Sequence, residues 1–226
     1  DVTDEAVDLE QCTVDGIPTA FMHIDEFRGE ILPRILREAF AVRQRRTCGV
    51  LCHLPDPGIG YPITGESLAL IDIECDILAG AMAADDDSLP AYIREFVGVR
   101  TFRRHTTLGR FRDFESRLEY TEGVPVYVAE RCRELAPAHL RGVPKRLLGS
   151  SIGAPGGLRA CFAPPSRLDW YRRGRLKYSG AAICMLLDRV HPGWQEQMDR
   201  ECKDPYTLLE ESRQGRPPEI AGILEK

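Results

Sequence analysis

The sequence predicts a single, mainly helical domain with a small β-hairpin at its N-terminus, and three observations carry that expectation. Apolar residues recur at helical spacing through most of the chain. Alternation of apolar and polar residues is confined to the first 25 residues. The length of 226 residues, 43% of them hydrophobic, supplies one sizeable core more readily than two small ones.

The elements run in this order. Residues 9–15 (LEQCTVD) and 19–25 (TAFMHID) flank Gly16-Ile17-Pro18, turn chemistry between two alternating stretches. From about Gly29 to Arg46 the residues Ile31, Ile35, Leu36, Ala39, Phe40 and Val42 mark an amphipathic helix. A Gly/Pro-rich loop, CGVLCHLPDPGIGYPITG, covers 48–65. Helices are predicted at 66–84, about 89–107 and about 110–134, the last interrupted by Gly123 and Pro125. Residues 137–165 read as irregular, and Leu176–Val190 is the most apolar helix, expected at the centre. Pro192-Gly193-Trp194 starts a short helix, and Asp204-Pro205 pairs an N-cap with a favoured first-turn proline to open another. One domain thus spans 1–226: a hairpin region (1–28), core helices (29–136), the irregular segment (137–165) and C-terminal helices (166–226).

Thirty basic against thirty-five acidic side chains give a net charge of −5, which leaves no whole-chain electrostatic footprint for duplex nucleic acid or an anionic membrane. No apolar run approaches the roughly 20 residues of a membrane span, and the first ten residues are acidic rather than signal-like. A soluble, cytoplasmic protein is expected. Eight cysteines are scattered at 12, 48, 52, 75, 132, 161, 184 and 202, which predicts free buried thiols rather than a disulfide framework. Cys48, Cys52 and His53 have metal-ligand types without a second pair, and read as loop residues beside a turn. GSSIGAPGG at 149–157 lacks the Lys-Ser/Thr of a phosphate loop, so no cofactor is expected.

The helix at 36–45, LREAFAVRQR, has the frame of a metal-binding HExxH helix at Arg37-Glu38-Ala39-Phe40-Ala41, with the Glu in place and neither His. At 115–130 the chain reads ESRLEYTEGVPVYVAE, and its Glu122-Gly123, Tyr127 and Glu130 resemble the NEGxAxY(V)E segment that supplies the glutamate zinc ligand of gluzincin-type metallopeptidases. The blocks LALIDIECDILAGAM, EFVGVRTFRR and KYSGAAICMLLDRVHPGW are similar, in their order over roughly 25 to 210, to those of a zincin-like family of helical bacterial proteins. The resemblance implies a zincin-like fold with metal ligands falling at 37, 41 and 122. Here those positions hold Arg37, Ala41 and Glu122. Arginine does not ligate zinc and alanine has no donor atom, so no catalytic zinc site of that type forms. Arg37 instead places a permanent cation where the metal charge would have been, with Glu38 and Glu122 as natural carboxylate partners; the bland alternative is a solvated helix face.

Glu115, Glu119 and Glu122 stand at i, i+4 and i+7, three carboxylates along one helix face, and crowding of like charge is expected to raise the pKa of at least one toward acid–base use. Asp85, in the Asp85-Asp86-Asp87-Ser88 run before Pro90, fits a helix N-cap better than a catalytic role. Tyr178, with Trp170 and Tyr171, is a candidate for lining a substrate pocket or the core. Two classes of function emerge. One is a metal-free enzyme using Glu38 with Glu115, Glu119 or Glu122, and Arg37 and Tyr178 toward the substrate; the other is a pseudo-metallopeptidase whose groove binds a partner. A base of this kind suits intramolecular amine ring closure in bacterial specialised metabolism. A similarity to aziridine-forming cyclases of azinomycin-type pathways would imply a small partner protein and a substrate presented on an amino-group carrier protein. The missing ligands at 37 and 41 predict that the purified protein holds no stoichiometric zinc after dialysis against a weak chelator, as checked by metal analysis.

Overall fold

The computed structural model describes residues 11–14, 17–20, 31–49, 61, 63–105, 107, 109–135, 162 and 170–213. Two short strands, β1 (Gln11–Val14) and β2 (Ile17–Ala20), pair antiparallel with Val14 opposite Ile17 and Gln11 opposite Ala20. The rest of the architecture is helical: α1 (Ile31–Thr47), α2 (Gly65–Ala83), α3 (Leu89–His105), α4 (Gly109–Leu118), α5 (Val124–Leu135), α6 (Arg175–Val190), α7 (Trp194–Glu201) and α8 (Pro205–Ser212). Two π-helical turns are spliced in, Glu119–Gly123 between α4 and α5 and Trp170–Gly174 before α6. Cys52, His53 and the 149–157 stretch lie outside the described residues.

Local chemistry starts these helices where it should. Thr64 caps α2 in a reciprocal box with Ser67, each side chain taking the other's backbone N–H. Asp85 accepts from the Ser88 N–H at 2.9 Å ahead of α3, and Asp204 accepts from the N–H groups of Tyr206 and Thr207 with Pro205 opening α8. The helix α6 is the centre of the molecule, with Ala181, Ala182, Ile183, Cys184, Leu186 and Leu187 fully buried. It packs on α2, α5, α8 and the first π turn, while α2 pairs with α3 and α1 lies along α5.

The expected interruption of the 110–134 helix takes a definite form. The chain stays helical through Gly123 and Pro125, and the strain is absorbed by the π turn, in which the Val124 N–H reaches back five residues to the Glu119 carbonyl. Pro125 has no N–H to continue the ladder, and the missing backbone donor is replaced by Gln44 of α1, whose Nε2 donates to the Tyr120 carbonyl at 2.7 Å. Two glycines let the π turn touch α6 backbone to backbone. A Cβ on Gly123 would stand 2.6 Å from Gly180 Cα, and a Cβ on Gly180 would stand 2.5 Å from the Glu119 carbonyl oxygen.

One expectation is overturned. Cys48, read as a free loop thiol, is bonded to Cys202 across 154 residues of sequence, because the end of α1 and the end of α7 are brought together in space, with Arg43 of α1 also ion-paired to Asp199 of α7. Cys75, Cys132 and Cys184 are free. Disulfides persist mainly in oxidising compartments, so the bonded form stands against a cytoplasmic setting. No described helix is long and apolar enough to cross a membrane. The glycine contact yields a measurable expectation: Gly180→Ala should lower stability by about 1–3 kcal/mol or more through overpacking against backbone, whereas Gly65→Ala, which meets open space, should be near neutral, as read from denaturant unfolding.

Candidate functional site

Two clusters of charge surround the first π turn, one sealed and one opening toward α1. In the sealed cluster, α3 carries Arg100 and Arg103 one turn apart, and both residues are 1% exposed. Arg103 forks onto two carboxylates: Nε and Nη2 to Glu74 of α2 at 2.5 and 3.2 Å, and Nη1 and Nη2 to Glu115 of α4 at 2.7 and 3.0 Å. Arg100 joins Glu74 at 3.1 Å to Glu119 at 2.6 Å. Arg175 at the start of α6 donates to Glu115 at 2.7 Å, the Tyr61 hydroxyl also donates to Glu115, and Ser179 donates to Glu119 at 2.6 Å.

Burial alone would push the Glu115 carboxyl up, but Arg103 and Arg175 outweigh it and hold Glu115 well below the usual carboxylate range. Burial is likewise overcome at Glu74 by Arg103 and Arg100, which keep its carboxyl low. Burial, reinforced by the Glu115 charge, pushes the Tyr61 hydroxyl up to about 12. The expectation that like-charge crowding would turn Glu115 into a base is therefore corrected: its neighbours in space are guanidinium groups, which hold it ionised and fully bonded.

The second cluster belongs to Glu122. The π turn inserts extra backbone between Glu119 and α5, so Glu122 leaves the face that Glu115 and Glu119 share, and the expected stripe of three carboxylates is split. Glu122 is partly buried, and burial raises its carboxyl; Arg173, Arg37, Lys177 and Arg117 pull it down only in part. These cations come from four places: the second π turn, α1, α6 and α4. Arg37 is also 3.8 Å from Glu38, whose side chain is 17% exposed against 45% for Arg37. Tyr178 packs against the core with the Lys177 ammonium 4.8 Å from its ring centroid. The structure thus gathers Arg37, Glu38 and Glu122, with Tyr178 on the neighbouring helix. Asp85 is elsewhere: its oxygen caps α3 and its charged neighbour is Arg189, twelve residues along α6 from Lys177, or roughly 18 Å. Trp170 belongs to the core, stacked edge-on with Phe162 and Tyr171.

Glu74, Arg100, Arg103 and Arg175 were not singled out from the sequence, yet a signal existed. Glu74 sits between Leu70–Ile71 and Ile77–Leu78, and Arg100 comes after Ile93, Phe96 and Val97, so each charge occupies a position the 3.6-residue period reserves for apolar side chains. Among the described residues no three His, Cys, Asp or Glu side chains converge to hold a metal ion. Comparison with protein-family models, curated proteins and solved structures found no match to this chain.

The opposite shifts at Glu115 and Glu122 predict opposite mutant behaviour. A carboxyl held below its unfolded value, about 4.3, adds stability that is complete above that value and is lost as pH falls through the folded one. Glu115→Gln strands Arg103 and Arg175 and should cost about 3–5 kcal/mol at neutral pH, a penalty that shrinks on acidification. A carboxyl raised on folding favours the fold only while protonated, and that support is lost as pH rises through the folded value. Glu122→Gln should therefore be neutral or stabilising at pH 7. Thermal unfolding of both variants between pH 3 and 8 checks the pair.

Proposed function

We propose that this chain is a metal-free enzyme on a degenerate zincin-like fold, in which Glu122 is the general base and Arg37 holds the position of the lost metal charge. The observation that carries the reading is the convergence of Arg37, Glu38 and Glu122 where α1 packs beside the π turn and α5. That is the pairing of helices on which the zincin-like resemblance rests. Glu122 is preferred over Glu115 as the base because Glu115 and Glu119 are committed to guanidinium partners in the sealed cluster, whereas a carboxyl raised by burial accepts a proton more readily than an ordinary one. Glu38, paired loosely with Arg37, supports the charge balance of the site.

The chemistry that fits is intramolecular ring closure by an amine, as in aziridine formation. The amine nitrogen attacks the neighbouring carbon, the C–N bond forms as the C–O bond to an anionic leaving group breaks, and the N–H proton passes to Glu122. Arg37, Arg117, Arg173 and Lys177 surround that carboxylate with the positive charge an anionic leaving group needs. Tyr178, beside Lys177, faces the substrate. A small partner protein and a carrier-bound substrate belong to the same reading.

The test is turnover of a vicinal amino alcohol activated as an anionic ester, followed by mass spectrometry of the ring-closed product and by release of the anion. Glu122→Gln should lower the rate by about 100-fold or more, with Glu38→Gln less affected. Equal rates in Glu122→Gln and the native chain would remove the base assignment. No turnover by the native chain, together with saturable binding of a protein partner, would replace the enzyme with a pseudo-metallopeptidase that acts as a binding protein.

A further inference from the structure

We infer that Gln44 is a positioning residue for Glu122, holding the π turn that presents this carboxylate by standing in for the backbone N–H that Pro125 lacks. The inference rests on the reading of Glu122 as the working carboxylate, and it adds a residue that neither the motif nor the ligand frame contains. Gln44 is 2% exposed, while Arg43, Arg45 and Arg46 around it face solvent. It lies seven residues after Arg37, two helical turns, and so on the same face of α1.

Its hydrogen bond has one geometric purpose. Within the turn the Val124 N–H is spent on the Glu119 carbonyl, and the next backbone nitrogen belongs to a proline. Gln44 Nε2 reaches across from α1 to the Tyr120 carbonyl at 2.7 Å, two residues before Glu122. The other end of the same amide, Oε1, is buried without a hydrogen-bond partner. Turning the amide over would set oxygen against oxygen at Tyr120, so the orientation is fixed by the carbonyl. An apolar residue of the same length would fill the space without stranding an acceptor. The retained amide is explained by its donor end. Through this bond the helix carrying Arg37 and Glu38 and the turn carrying Glu122 are held in one register.

The experiment compares four proteins: the native chain, Gln44→Met, Pro125→Ala and the double variant. The Glu122 carboxyl is titrated in each by carbon-detected NMR, with exposed Glu66 as internal control, and thermal unfolding is recorded alongside. Gln44→Met should shift the Glu122 midpoint downward toward the ordinary carboxylate value, as water reaches the loosened turn, and leave Glu66 unmoved. In the Pro125→Ala background, where position 125 regains a backbone N–H, the same substitution should shift it much less. A Glu122 midpoint unchanged by Gln44→Met, with or without a fall in melting temperature, overturns the inference, as does an equal shift in both backgrounds. Should Gln44→Met alone not fold, the inference requires the double variant to fold with the Glu122 midpoint of Pro125→Ala, and its failure to fold overturns it. The readout needs no substrate, so it is separate from the base assignment: a shifted midpoint beside full turnover in Glu122→Gln removes the catalytic reading and leaves the positioning intact.

Discussion

Three guanidinium groups without access to water each require carboxylates inside the protein, and this requirement organises the bundle. Arg100, Arg103 and Arg175 find theirs on three other segments, at Glu74, Glu115 and Glu119. The contacts are directional, so α2, α3, α4, the first π turn and α6 can pack in one arrangement only if every fork meets its oxygen. An apolar core of the same volume would tolerate sliding of one helix along another; a network of forked ion pairs does not, since any slip leaves a charge buried and unpaired. The aromatic rings of Phe96 and Tyr206 lie against the Arg100 guanidinium at 4.6 and 5.1 Å and close its remaining approach to water.

With the centre so fixed, α1 is the element whose placement needs separate fastening. It contacts α5 along its length, and its last turn is tied three ways: by Gln44 to the π turn, by Arg43 to Asp199, and by the Cys48–Cys202 bond. All three ties fall between Arg43 and Cys48. The consequence is an arm anchored at its C-terminal end, with Arg37 and Glu38 two turns up from the anchor at the edge of the Glu122 cluster.

Much of the helical outline could be read from the sequence because caps and periodicity act locally: Asp204-Pro205 and the apolar run of α6 need no tertiary partner to be recognised. The buried ion network was harder, because Glu115 and Glu119 signal only that carboxylates share a face, while the sign of the Glu115 shift depends on arginines 12 and 60 residues away. Glu122 was grouped with them by counting in steps of 3.6, a rule that fails where Pro125 forces a wider turn. Cys48 and Cys202 carried no local mark of their pairing, since each lies in an unremarkable context and only the return of α7 to the end of α1 brings them together.

The wide turn also makes the site depend on residue number as well as residue type. A π turn accommodates one surplus residue relative to an α-helical path, and each residue of an α-helix turns its successor by about 100°. Excising any one residue from 119–123 would let α4 and α5 merge into an unbroken helix, and either Glu119 or Glu122 would turn away from its present surroundings, even if both side chains were kept. Reading frame within the helix, counted in single residues, thus separates the carboxylate that serves the core from the one that faces α1, and homologous chains differing in length by one residue here would divide those two roles differently.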